Sequence, residues 1–220
     1  MSLGISVGTP KDYGMDEDLY WRTKNIFDAQ SIAFTCEILP FIWSLYPEGE
    51  HVLELLDIGS RTGAGTGLIA YIHQQYAFNR IKVKATALDI DGNYQLYAQN
   101  HYPLVRYMVG DIFNMSFENL FDIVIASHTI EHVSDPVKFI KRLQELSSGH
   151  VIVACPFEEK NLIDGHIHSF NEQFFKDTEA LRLEVYTSTA WAQSKACIAI
   201  YAGHNKSADN TQSSMKVNKR

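Results

Sequence analysis

Cysteine is scarce in this chain. Its 220 residues include Cys36, Cys155 and Cys197, an odd number of thiols that lie far apart in the sequence. Such spacing matches neither a disulfide framework nor the paired cysteines of a structural zinc site. We therefore expect reduced and mostly buried thiols in a cytoplasmic protein.

Positive charge is also in short supply. The chain has 19 Lys and Arg residues against 26 Asp and Glu residues, which gives a formal net charge of −7. The basic residues are scattered, with a slight cluster at Lys216, Lys219 and Arg220. Because phosphate contacts supply most of the affinity of nucleic-acid binders, the composition argues against DNA or RNA as a partner.

Long apolar runs are missing as well. The most apolar stretch, residues 38–45, contains Pro40 and is shorter than the roughly 20 residues that cross a bilayer. The N-terminus has no charged segment followed by an apolar one, so no signal peptide is expected. These absences predict a cytoplasmic protein with no membrane partner, and they carry no indication of its oligomeric state.

Strand-like and helix-like segments alternate from residue 52 onward. Apolar, β-branched runs predict strands, and the periodic runs between them predict helices. Asp135 followed by Pro136 is typical of a helix start, and Gly149 is expected to end that helix. The predicted strands are residues 52–58, 81–88, 104–109, 121–126, 151–154, 181–187 and 196–201.

This alternation predicts an α/β fold. We expect a Rossmann-like, mostly parallel seven-stranded sheet with helices on both faces. The last two strands follow each other without a helix, so they are expected to form an antiparallel edge hairpin. Three regions are expected, namely an N-terminal helical cap (1–50), the α/β domain (51–203) and a polar tail (204–220).

A glycine-rich loop, L-D-I-G-S-R-T-G-A-G-T-G at residues 56–67, follows the first strand. Glycines at this point let the backbone turn sharply and approach a ligand, and the next helix offers free N–H groups. The dinucleotide-binding pattern G-x-G-x-x-G fits poorly, because glycines at that spacing occur only several residues after the end of the strand. The P-loop pattern lacks its Gly-Lys-Ser/Thr. A tight turn with no ligand remains an alternative.

Acidic residues follow the second and third strands. Asp89 ends the second strand, where a carboxylate can accept hydrogen bonds from both hydroxyls of a ribose. Asp111 follows the third strand, after Gly110. The alternatives are a solvated strand-end carboxylate for Asp89 and a turn residue that bonds its own backbone for Asp111.

With the segment F-D-I-V-I-A-S-H-T-I-E-H-V-S-D-P at 121–136, these motifs resemble class I S-adenosylmethionine-dependent methyltransferases of the small-molecule and glycan type. The resemblance covers roughly residues 52–170. Arg61 stands where the family motif Asp-x-Gly-x-Gly-x-Gly has its middle glycine. The resemblance implies S-adenosylmethionine as cofactor, with Asp89 on the ribose and Asp111 on the adenine amino group. The implied cofactor residues are Asp57, Gly59, Ser60, Arg61, Gly63, Asp89, Ile90, Asp111, Ile112 and Ser127.

Histidines are the candidate catalytic residues. Methyl transfer needs an aligned acceptor and, for an alcohol, a base that titrates near working pH. His128, at the end of the fourth strand, is the first candidate, and His166 and His168 follow. Each has a loop or capping role as its alternative. The predicted reaction is methyl transfer to an oxygen, or less favourably a nitrogen, of a small-molecule or glycan acceptor.

Other functions stay open beside this one. Because Arg61 stands at a glycine position of the motif, one alternative is a protein that keeps the fold and binds S-adenosylmethionine but does not catalyse transfer. The segment 128–132 matches the H-x-x-E-H pattern of some zinc peptidases, although that chemistry needs the pattern inside a helix. Asp164, His166 and His168 form another candidate metal set. The favoured assignment contains no metal.

The N-terminal region is rich in aromatic residues. Such residues can cover an acceptor site, as N-terminal helices do in the methyltransferase family, but they are more often part of a core. The core role is favoured here. The residues concerned are Tyr13, Tyr20, Trp21 and Phe27.

Overall fold

The computed structural model describes residues 8–163, 165–191 and 194–204. Residues 1–7 of the expected cap and 205–220 of the expected tail lie outside this part, as does Asp164. Within the described part, seven segments are extended. These strands are β1 (His51–Ile58), β2 (Ile81–Asp89), β3 (Val105–Val109), β4 (Phe121–Ser127), β5 (Ser147–Pro156), β6 (Arg182–Thr187) and β7 (Lys195–Ala202).

The strands form one sheet in the order β3-β2-β1-β4-β5-β7-β6. β1 to β5 pair in parallel, whereas β7 pairs antiparallel with both β5 and β6. The predicted Rossmann-like sheet and its antiparallel edge pair are confirmed. Because the five parallel strands run the same way, the loops that follow them gather at one edge of the sheet.

Helices connect the strands and cover the sheet. Asp135 caps the helix that begins at Pro136, as predicted, by accepting from the Lys138 N–H at 2.9 Å. The helices are α1 (Glu17–Arg22), α2 (Asp28–Leu45), α3 (Ala64–Ile72), α4 (Gln95–His101), α5 (Pro136–Leu146) and α6 (Glu172–Asp177). Short 3₁₀ turns lie at Pro10–Tyr13, Gly92–Tyr94 and Ile130–His132.

The prediction that Gly149 ends a helix is wrong. Helix α5 ends at Leu146, and Gly149 lies inside β5. A Cβ at this position would lie 2.4 Å from the backbone oxygen of Asp122. The glycine is therefore required by the close approach of β4, and not by a helix cap.

The sheet separates two apolar layers. Alternate residues of β4 point to opposite sides: Ile123 and Ile125 pack under α2, α3 and α4, whereas Val124 packs under α5 and α6. β5 alternates in the same way. Burial on both faces explains why these strands lack polar alternation in the sequence.

The N-terminal segment is largely helical, as expected from the sequence. α1 and α2 are joined by a π-helical turn at Thr23–Phe27, so helix runs from Glu17 to Leu45. By length and composition alone this stretch is apolar enough to cross a membrane. Ile38, Leu39 and Ile42 of α2 are buried in the core, which accounts for part of its apolar character.

Candidate active site at the carboxyl edge of the sheet

The glycine-rich loop between β1 and α3 forms one wall of the site. Gly59, Arg61 and Gly63 all have left-handed backbone angles, with φ of 73°, 49° and 77°. A Cβ on Gly59 would lie 2.3 Å from Oγ1 of Thr129, which follows β4. Thr129 Oγ1 donates to the Ile58 carbonyl at 3.2 Å. The loop is thus seated directly against the end of β4.

Arg61 takes the conformation of the glycine it replaces, and its side chain turns toward the N-terminal helices. Its guanidinium donates to Gln30 Oε1 at 3.0 Å and lies 4.6 Å from the ring centroid of Phe27. Its backbone N–H donates to Asp89 Oδ2 at 2.6 Å. Asp91 N–H donates to the other Asp89 oxygen at 2.9 Å. The backbone therefore fixes the orientation of the Asp89 carboxylate.

Asp57 lies behind the loop. It is 8% exposed, and its Oδ2 accepts a hydrogen bond from Thr66 Oγ1 at 2.6 Å, in the first turn of α3. Burial raises the pKa of Asp57 to about 7, and the charge of Asp89 adds to the rise. Burial also raises the pKa of Asp89, against the lowering effect of its two backbone donors.

A cavity of about 250 Å³ opens beside these residues. It joins the ends of β1, β2, β3 and β4, so it lies where parallel sheets bind ligands. Ile90 is 74% exposed beside it, whereas Ile112 is buried. The cavity is lined by Ile58, Gly59, Leu88, Asp89, Ile90, Gly110, Asp111, Ile112, Phe113, Thr129, Val133, Ser134 and Phe139.

Asp111 makes hydrogen bonds within its own turn, as its alternative role as a turn residue predicted. One carboxylate oxygen accepts from the Phe113 N–H at 2.9 Å and the other from Asn114 Nδ2 at 2.8 Å. The residue nevertheless borders the cavity. Nearby, the buried hydroxyl oxygen of Ser127 has no hydrogen-bond partner among the described residues.

His128 stands at the turn that leaves β4. Its backbone is left-handed, with φ of 49°, and its N–H donates to the Ala154 carbonyl of β5 at 2.8 Å. Its ring stacks on Phe34 of α2, with centroids 3.7 Å apart. Its Nδ1 lies 3.5 Å from Oε1 of Glu131. A histidine and a buried carboxylate therefore face each other at this edge.

His166 approaches the same carboxylate from the loop after β5. Its Nε2 lies 3.9 Å from Glu131 Oε1, and its Nδ1 lies 2.6 Å from Glu159 Oε2. Its ring stacks on Trp191 at a centroid distance of 5.6 Å. The backbone holds this loop in place, because Ile167 N–H donates to the Glu131 carbonyl at 2.9 Å.

The H-x-x-E-H segment is not helical throughout. His128 precedes the short 3₁₀ turn Ile130–His132 with a left-handed backbone, so the two histidines do not share one helix face as the peptidase pattern requires. His132 instead faces His166, with ring centroids 4.9 Å apart. His168 Nε2 donates to the Val133 carbonyl at 2.9 Å, away from this pair.

Helix α2 and the segment before β7 close the site from outside. Glu37 of α2 accepts hydrogen bonds at 2.9 Å from Tyr186 Oη, Ser188 Oγ and the Thr189 N–H. These bonds fasten the segment that carries Trp191, whose ring centroid is 6.1 Å from that of Phe34. Phe34 and Trp191 thus form aromatic walls beside His128.

The N-terminal aromatics named from the sequence lie elsewhere. Tyr13 and Tyr20 stack on each other and contact Tyr97 edge-on, and they pack with the core as the favoured role predicted. For Trp21 the favoured core role is wrong, because the residue is 57% exposed. Phe27 packs on the core and under the Arg61 guanidinium.

Several residues of the site were not predicted from the sequence. Thr129 and Glu131 stand inside the 121–136 segment, so their position just after β4 was a signal for them. Phe34, Glu159 and Trp191 have no motif of their own, and only the fold brings them to the site.

Comparison with known proteins agrees with this geometry. Residues 56–153 match a family model described as a methyltransferase domain. An N-methyltransferase, NodS from Bradyrhizobium japonicum WM9, solved with S-adenosyl-L-homocysteine, is 16% identical, with a TM-score of 0.62 over 88% of this chain and 95% of that one.

Two further solved structures share the fold. The CurJ carbon methyltransferase is 16% identical, with a TM-score of 0.57 over 77% of this chain and 54% of that one. Phosphoethanolamine N-methyltransferase 2 of Haemonchus contortus, solved with phosphomonomethylethanolamine and S-adenosylhomocysteine, is 16% identical, with a TM-score of 0.55 over 76% of this chain and 52% of that one.

The residues present fit an adenosine-bearing cofactor. The glycine turn, the oriented Asp89 carboxylate and the cavity between them form one continuous cradle. Residues 56–153 thus match a methyltransferase domain, and the fold around them is shared with solved methyltransferases.

Proposed function

We propose that this methyltransferase acts on an oxygen of a small-molecule or glycan-like acceptor, with His128 as the base. The observation that carries the proposal is the His128–Glu131 pair at the carboxyl end of β4, with Nδ1 and Oε1 3.5 Å apart. A histidine placed beside a buried carboxylate suits a group that removes the proton of an alcohol.

The cofactor roles follow from the cradle. Asp89 is proposed to accept from both ribose hydroxyls, since each of its oxygens is already aimed by a backbone donor. Ile90 and Ile112 would enclose the adenine, and Asp111 would accept from its amino group. Asp57, Gly59, Ser60, Arg61, Gly63 and Ser127 are proposed to surround the remaining part of the cofactor.

The acceptor is proposed to approach from the other side of His128. A cavity of about 490 Å³ is bordered by Glu159 and Trp191, both of which contact His166. This volume suits a small molecule or one sugar-sized group. The cap expected over residues 1–50 is proposed to shield the site through Phe34. His168 is proposed to hold the loop that carries His166.

The reaction is then a displacement in line. Bound S-adenosylmethionine would supply an activated methyl group, which would pass to the acceptor oxygen while the sulfur keeps the electron pair of the broken carbon–sulfur bond. His128 receives the hydroxyl proton. The protein contributes mainly alignment and exclusion of water, because the sulfonium already activates the methyl group.

A cytoplasmic location without a nucleic-acid or membrane partner belongs to the same proposal. Three features support it: the net charge of −7, the free buried thiols of Cys155 and Cys197, and the packing of α2 against the sheet. Nucleic-acid binding needs a basic face, and a composition with more acidic than basic residues does not favour one.

The test is a transfer assay with labelled S-adenosylmethionine and a panel of alcohols, phenols, amines and carbohydrates. We expect label on an oxygen, and His128→Asn should lower kcat about 10²- to 10⁴-fold, the usual contribution of a positioned base. His51→Asn, at the opposite end of β1, serves as the matched control.

Label on amines alone would contradict the oxygen acceptor. Full activity of His128→Asn would remove His128 from the chemistry. Tight binding of S-adenosylmethionine with transfer to no acceptor would favour a binding protein without turnover.

A further inference from the structure

Glu131 is a buried carboxylate in an unusual position. Its side chain is 1% exposed, and neither carboxylate oxygen has a hydrogen-bond partner among the described residues. A buried carboxylate without donors is costly unless a cation or a proton compensates it. The side chain is aimed into a group of histidines, so the neighbouring nitrogens show what kind of compensation is available.

Two of these histidines have one ring nitrogen already committed. His132 Nδ1 lies 2.7 Å from the Gly165 carbonyl, and His166 Nδ1 lies 2.6 Å from Glu159 Oε2. Both partners only accept, so Nδ1 carries the proton in each neutral ring, and Nε2 then offers a lone pair. Metal-binding histidines are held in this manner, with the second nitrogen bonded to a carbonyl or carboxylate.

The ligand atoms converge on one point. Glu131, His132 and His166 each offer one ligand atom, and these atoms lie within 4.8 Å of one another. Ligands of a tetrahedral metal are about 3.4 Å apart at metal–nitrogen distances near 2.1 Å. Small side-chain rotations would therefore close the set around an ion.

We propose that Glu131, His132 and His166 bind a divalent transition-metal ion such as Zn²⁺. Two imidazoles and one carboxylate favour such an ion over Mg²⁺ or Ca²⁺, which prefer oxygen ligands. This ligand set differs from both metal sets considered from the sequence, because it combines the 3₁₀ turn with the loop after β5.

The ion would also serve the acceptor, an extension that rests on the proposed function. Three protein ligands leave a coordination position open, and His132 is exposed, so the ion is reachable from solvent. An acceptor hydroxyl bound there would lose its proton to His128 more readily. The oxygen would then attack the methyl carbon as the carbon–sulfur bond breaks.

The test is metal binding to the full chain after chelator treatment. Zn²⁺ is titrated by calorimetry, and Co²⁺ is followed by its visible absorption. We expect one ion per chain, and at least a tenfold weaker affinity in Glu131→Gln, His132→Ala and His166→Ala. His51→Ala is the matched control and should bind like the wild type.

Failure of the wild type to bind one equivalent of either ion would overturn the site. So would equal binding by the Glu131→Gln and wild-type proteins when both show the same circular dichroism spectrum. S-adenosylhomocysteine binding is measured on the same samples. If that binding and the transfer of labelled methyl are intact while metal binding is absent, the metal site fails and the proposed methyl transfer stands.

Discussion

At the residue scale, Asp57 is a buried carboxylate that lies behind the glycine-rich loop. Its pKa is raised from the ordinary 3.8 to about 7, with burial as the main cause and the charge of Asp89 as a smaller one. The unfolded chain releases this proton near pH 4, whereas the folded chain keeps it until about pH 7. Between these values the folded state binds more protons, so the stability falls as the pH rises.

This sign gives a prediction for Asp57→Asn. Relative to the variant, the wild type should lose stability between about pH 4 and pH 7, by about 4 kcal/mol at most. Urea unfolding at several pH values measures the difference, and Asp177→Asn, at an exposed helix end, is the control. A pH-independent difference between wild type and Asp57→Asn would show that Asp57 ionises normally in the folded chain.

Single residues were predictable where a motif fixed their place. Asp57, Asp89 and His128 lie at or next to the ends of strands, and a strand end in a parallel sheet has a known location. Glu131 belongs to the H-x-x-E-H segment noted in the sequence, but that segment could not predict its burial, which depends on the loop that carries His166. Contacts such as that of Glu37 with Ser188, 151 positions apart, follow from the closed fold and from no local pattern.

At the scale of elements, the β1–α3 loop and the end of β4 fit together through one glycine. Gly59 has a left-handed backbone, and Thr129 fills the space that a side chain would need. Arg61 can adopt a similar φ because its own position leaves room for a side chain. The departure from the family motif therefore preserves the turn.

Gly59→Ala should destabilise the protein by about 2–4 kcal/mol, because it adds overpacking to the strain of a left-handed backbone. Gly14→Ala is the matched control: its φ is 67° and nothing lies within 4 Å of the added Cβ, so the cost should be about 1 kcal/mol. Thermal and urea unfolding compare the two. Equal losses would mean that the contact with Thr129 carries no cost.

The elements themselves were largely predictable. Buried strands and capped helices follow from periodicity and from residues such as Asp135. The error at Gly149 arose because a glycine can either end a helix or allow a neighbouring strand to approach closely. Only the position of β4 distinguishes these two roles. The N-terminal section was predicted to be helical, but no local pattern indicated that helix would continue without a break from Glu17 to Leu45.

At the scale of the whole molecule, the sheet order is what assembles the site. β1 lies between β2 and β4, so the glycine loop contacts Asp89 on one side and Thr129, next to His128, on the other. The cofactor cradle and the histidine cluster are thus adjacent parts of one edge. The methyltransferase account depends on that edge binding an adenosine-bearing cofactor.

Calorimetric titration with S-adenosylhomocysteine tests this dependence most directly. The wild type should bind one equivalent, and Asp89→Ala should bind at least about tenfold more weakly, because hydrogen bonds to a charged acceptor contribute about 1.5–3 kcal/mol each. Glu118→Ala, an exposed acid outside the cavity, should bind like the wild type. No binding by the wild type, or equal binding by Asp89→Ala, would contradict the account.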